Sequence, residues 1–191
     1  MNSSLVLFGL LPVAAFLLLG ARGNSRRALW GALALGAFEL GYSIAVVGGL
    51  DYLTVCNFLI MAVFIWASFR NGDDFFFKIH GAVTNIATAV VMLVAWHFFH
   101  KAMLLDTMEK YVGMEKLAKA IPEMNREDIT EMLRVLSLHL PVWLVIHAAI
   151  TIHAASRWSR WAWAMVYVPG MFAAIFMAFL SARIAILEPP R

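Results

Sequence analysis

The sequence predicts an all-α fold, a polytopic transmembrane bundle of about six helices with an amphipathic helical segment between the fourth and fifth. Three observations carry this. Hydrophobic residues make up 62% of the chain and charged residues 14%, where a soluble domain is nearer half apolar and a quarter charged. The apolar residues gather in six runs close to the ~20-residue length that crosses hydrocarbon. Basic residues fall in short stretches between those runs, as orientation in a bilayer requires. The mean hydropathy of +0.78 agrees, and the 191 residues then form a single transmembrane domain.

The runs lie near 4–20, 29–50, 52–69, 79–99, 134–155 and 161–183. The first is short and holds Pro12, whose freed carbonyl can be satisfied by bundle neighbours or water. Arg22, Arg26 and Arg27 follow it, with no positive segment before it, the reverse of a secretory signal, so it reads as a retained helix. Gly48, Gly49 and Asp51 form a tight turn between the second and third runs. The stretch Arg70-Asn71-Gly72-Asp73-Asp74 is a strong turn signal before the fourth. Phe75, Phe76 and Phe77 with Lys78 read as an aromatic interface belt around a snorkelling lysine. The stretch Arg157-Trp158-Ser159-Arg160-Trp161, where the fifth and sixth runs join, forms a second belt. The two corners, Ala67-Ser68 with its aromatics and Ala155-Ser156 with Trp161 and Trp163, echo one another. A duplicated unit and two belts of one physical recipe both account for that.

Residues 101–133 are the long polar stretch. Tyr111, Met114, Ala118 and Ile121 make a helical stripe that Pro122 breaks. Asn125, followed by Glu127 and Asp128, opens a new helix, because a capping side chain and first-turn acids satisfy the exposed amides. Ile129, Met132, Leu136 and Leu140 continue a stripe into the fifth run. The stretch reads either as a surface-lying amphipathic helix that leads into the bilayer or as a solvated helix touching nothing.

The net charge of +3 and pI of about 9.2 bring no basic tract of the kind that follows phosphates, which argues against a nucleic-acid partner. Among short loops the basic residues favour the odd-numbered loops as cytoplasmic, with both termini outside. The one cysteine, Cys56, makes neither an internal disulfide nor a thiolate zinc site and reads as a packing residue.

Ionisable groups inside a membrane are costly and invite a functional reading. Glu39 stands mid-helix in the second run, either a proton or cation site or a neutral acid bonded to a neighbouring helix. His147 is the histidine nearest to mid-membrane depth and its candidate partner. His97 and His100 share a helix face and make a weak metal pair or an interface pair. Two facing helices with one histidine each can also ligate a haem b. Asn57, Thr84, Asn85, Thr88 and Thr151 read as hydrogen-bonding glue between helices. No nucleophile elbow, P-loop, dinucleotide fingerprint or HExxH is present, so no catalytic residue is named and no cofactor is required.

Three segments resemble the bacterial septation protein A family of inner-membrane-spanning proteins. Leu10-Leu11-Pro12-Val13-Ala14-Ala15-Phe16 is similar to the family's opening Phe-Leu-Pro with aromatics after it. Asp74-Phe75-Phe76-Phe77-Lys78-Ile79-His80 resembles its Asp-x-Phe-Ile-Lys-x-Lys corner, and Trp161 to Tyr167 its Trp-x-x-x-Lys-x-aromatic corner. Helix order and spacing agree over nearly the whole chain. His80 and Met165 stand where the family has lysines, and residues 101–133 are longer and more charged. The resemblance implies a multi-pass bacterial inner-membrane protein of cell-envelope maintenance and division, with no established enzymatic chemistry. Its partners would be the lipid bilayer and other membrane proteins or copies of itself. Asp74, Phe76 and Lys78 are carried over as motif positions. The alternatives are a small haem- or metal-binding redox subunit, or a proton-coupled carrier centred on Glu39.

Overall fold

A computed structural model describes residues 11–21, 24–47, 52–120 and 125–187. Among these there are eight helices and no strand: α1 (Leu11–Gly20), α2 (Ser25–Val47), α3 (Tyr52–Asn71), α4 (Phe75–Phe99), α5 (Met103–Tyr111), α6 (Met114–Ala120), α7 (Arg126–Arg157) and α8 (Arg160–Leu187). Three of them, α4, α7 and α8, are long and apolar enough to cross a membrane, while Leu11–Gly20 and Val55–Asn71 are shorter apolar helices. The expected turn at Gly48, Gly49 and Asp51 and the break at Pro122 lie outside the described residues.

Side-chain oxygens start the helices by taking amide protons that have no partner in the first turn. Asn24 Oδ1 accepts from the Arg27 amide at 3.1 Å, and Ser159 Oγ accepts from the Ala162 amide at 3.3 Å. For α4, Asp73 Oδ1 takes the Phe75 amide at 3.1 Å, and Ser68 Oγ reaches across from α3 to take the buried Phe77 amide at 2.9 Å. The expected cap of α7 is present and reciprocal: Asn125 Oδ1 accepts from the Asp128 amide at 2.8 Å, and Asp128 Oδ2 accepts from the Asn125 amide at 3.4 Å.

The chain divides into two compact units. The first comprises the chain up to Thr84 with Ile150–Val168, and the second comprises Asn85–Ala149 with Pro169–Arg191. In the first, α1 packs on α2 and α2 on α3. Its core centres on Phe16, Phe77 and Trp163, all fully buried, with Leu29, Ile65 and a set of alanines around them. Phe16 and Phe77 lie 4.5 Å apart between ring centroids, Trp163 meets Phe16 edge-on at 5.9 Å, and Tyr167 stacks on Trp163 at 5.4 Å. Edge-on and offset arrangements suit the ring quadrupoles. Tyr167 lies so near α4 that a Cβ at Gly81 would stand 2.2 Å from its ring.

In the second unit, α8 keeps small residues inside and large ones outside, while α7 buries leucines. On α8, Ala174, Ala178 and Ala182 are buried, while Phe172, Phe176, Leu180 and Ile184 are exposed. On α7, Leu136 and Leu144 face inward and Val142, Val145 and Ile146 outward. The pattern on α8 suits a lipid surround, where burial of large apolar groups gives no advantage and small residues let backbones approach.

The polar stretch departs from the expected single stripe. It forms two short helices, because Gly113, at φ 81°, turns the chain through a conformation that side-chain-bearing residues rarely adopt. Nor does it touch nothing: Met114, Leu105, Met108 and Leu117 pack on Ile129 and Leu133 of α7, and Ser137 Oγ accepts the Leu104 amide at 3.3 Å. The belts are also corrected. Trp158 and Trp161 are exposed, but Phe77 and Trp163 are core residues. Cys56, read as a packing residue, is exposed.

Truncating Trp163 to alanine empties the centre of the first unit and is expected to cost about 3–5 kcal/mol. Trp161→Ala, on an exposed side chain, should stay within about 0.5 kcal/mol. Denaturant unfolding in micelles checks both, and equal losses would remove the core role given to Trp163.

Candidate functional site

The corner between α3 and α4 and the corner between α7 and α8 meet in the first unit. Asp74 ends the turn before α4, where the helix's positive end stabilises a carboxylate. Its Oδ1 pairs with Lys78 Nζ one turn on at 3.0 Å, and its Oδ2 pairs with Arg160 Nε at 2.6 Å. Arg160, the first residue of α8, uses its whole guanidinium. Nη1 donates to the Gly20 carbonyl at 2.8 Å, Nη2 donates to Ser25 Oγ, and the cation lies 5.4 Å from the centroid of Phe16. Gly20 closes α1, so the guanidinium sits at the negative end of that helix and satisfies one of its free carbonyls. Two cations face one carboxylate, and the helix end and the ring face take up the excess positive charge.

The side chains of Lys78, Asp74 and Arg160 are 9%, 15% and 23% exposed. Lys78 was expected to snorkel toward headgroups; instead its ammonium pairs with Asp74 and its stem is buried. Its backbone carbonyl accepts the Trp163 indole N–H at 3.1 Å, which ties the two corners a second time. Both Asp74 oxygens are engaged in ion pairs. Chemically the cluster is a clasp rather than a reacting centre. Phe76, the remaining motif position, is half-buried beside Phe75, edge-on at 5.8 Å.

A polar cavity of about 50 Å³ lies in the same unit, lined among others by Glu39, Asn57, His80 and Tyr167. A water needs roughly 10–15 Å³ measured this way, so the cavity has room for water. Glu39 Oε1 is buried without a hydrogen-bond partner among the described residues. His80 is buried, and its Nδ1 hydrogen-bonds the Phe77 carbonyl.

The other candidates lie elsewhere. His147 belongs to the second unit, where Asn85 Nδ2 donates to its Nδ1 at 3.0 Å. There too, His139 Nδ1 and Trp143 Nε1 both bond Ser181 Oγ, at 3.0 and 3.1 Å. His97 and His100 do not share a helix face: α4 ends at Phe99, and His100 turns away at φ 51°. Both are exposed.

Arg160 is the residue that sequence reasoning missed. It counted only as a loop charge, although its place beside the second corner matched Asp74 beside the first. His80 stood out as a departure from a lysine motif, with no sign that it would line one cavity with Glu39. Comparison with protein-family models, curated proteins and solved structures finds no match to this chain.

Asp74→Asn leaves two cations facing a neutral amide and should cost about 3–5 kcal/mol, the usual penalty for removing one partner of a buried ion pair. A double-mutant cycle with Arg160→Gln measures the pair itself. Additive losses would show that the two side chains do not act together.

Proposed function

We propose that this chain is a multi-pass bacterial inner-membrane protein allied to the septation protein A family, serving envelope maintenance and septation without enzymatic chemistry. The observation that carries this reading is the joining of two segments that suggested the family. Asp74 and Lys78 of one corner and Trp163 and Tyr167 of the other belong to one buried network. Residues that hold each other explain why such a motif persists without a substrate. The network is turned inward, so the protein would act through its outer faces, on other membrane proteins or on copies of itself.

In this reading the first apolar run, of which α1 is part, and α2, α3, α4, α7 and α8 all cross the bilayer and both termini lie on one side. At 1.5 Å per residue, the 23 residues of α2 span about 35 Å, enough for the hydrocarbon core. A second reading, a proton-coupled carrier, is favoured by the buried Oε1 of Glu39 at a polar cavity.

Expression in a bacterium deleted for its own septation protein A should restore normal envelope and division morphology. Asp74→Asn and Arg160→Gln should weaken that rescue in step with loss of folded protein from the membrane. Full membrane levels without any rescue by the unaltered chain would refute the proposal.

A further inference from the structure

The cavity in the first unit gathers an acid and a base that the clasp does not use. Glu39 comes from α2 and His80 from α4, with Tyr167 from α8 as the other titratable group of the lining. The lining residues from α1 and α3 include no titratable group, and Asn57 is the polar one. Lys78, two residues before His80, is held by Asp74. Thus, among the described residues, no lysine or arginine lines the cavity to balance a Glu39 carboxylate.

The tautomer of His80 follows from its partner. A backbone carbonyl can only accept, so Nδ1 carries the hydrogen and the lone pair of the neutral ring lies on Nε2. The ring is fixed by stacking on Phe77 at 5.0 Å and by contact with Tyr167 at 6.0 Å. Glu39 Oε1 is buried and without a partner among the described residues, although the Leu11 backbone hydrogen-bonds the same carboxyl group. Buried polar atoms are normally satisfied, by protein or by water, and this cavity has room for water.

We propose that the cavity is a proton-binding site in which the Glu39 carboxyl and the His80 imidazole share one proton through water held in it. The O–H bond of the carboxylic acid breaks as the water passes a proton to Nε2, giving carboxylate and imidazolium. The reverse transfer restores the neutral pair. Net charge inside the cavity is zero in both forms, so the transfer avoids placing an isolated charge in a low-dielectric surround. The site accepts a further proton only by becoming cationic and releases its proton only by becoming anionic, so the two residues titrate as a pair.

The test uses the full chain in lipid nanodiscs. Infrared difference spectra over a pH titration should show a protonated-carboxyl band that Glu39→Gln removes. His80→Gln should move the midpoint of that band by about one pH unit or more, the size of a coupled titration. The imidazole resonance of His80, followed by NMR, should move by the same amount in Glu39→Gln, because coupling is reciprocal. This second arm stands even if His80→Gln fails to fold. A band unaffected by Glu39→Gln, or unequal shifts in the two arms, would overturn the proposal. A midpoint that moves with added sodium would overturn it too, by making the occupant a metal cation.

Discussion

Arg160 is the point on which the first unit depends. A guanidinium offers five donors in a flat fork, and here that fork meets the end of α1, the start of α2 and the carboxylate before α4. Helix termini are the weak places of an all-helical protein, since each leaves amides or carbonyls without partners. One side chain satisfies a free carbonyl at the end of α1 and ties it to side chains at the starts of two other helices. The aromatic core formed by Phe16, Phe77 and Trp163 lies against this fork, so its close ring packing rests on helix ends already held in place.

Away from that centre, the packing logic is that of a protein whose solvent is oil. Alanines line the inward face of α8 while phenylalanines point outward. Contacts inside the second unit therefore rely on close backbone approach and on scattered hydrogen bonds, such as Asn85 to His147 and the pair converging on Ser181. Those bonds are individually modest in a membrane, but each fixes a rotation of one helix against another that shape alone would leave loose.

Helix positions were legible in the sequence because hydropathy and turn chemistry are local. The Asn125 cap and the turn at Gly72 needed no tertiary information. Charge pairing was not legible. Lys78 beside three phenylalanines has the composition of an interface belt, and only the neighbourhood of Arg160 shows that Asp74 holds it inside. The same limit applied to Glu39. Its depth along a helix was countable, but that His80 shares its cavity is a tertiary fact. In residues 101–133 the stripe was visible, whereas the break at Gly113 required the left-handed backbone that a glycine permits without announcing.

The two short helices α5 and α6 seat their apolar side chains on Ile129 and Leu133 of α7, and a hydroxyl from α7 completes the first turn of α5. The charged stretch is thus a handle set into a long apolar helix, not a tether. Its apolar side chains and its first-turn amide are spent on α7, so the charged groups are what the stretch leaves to its surroundings.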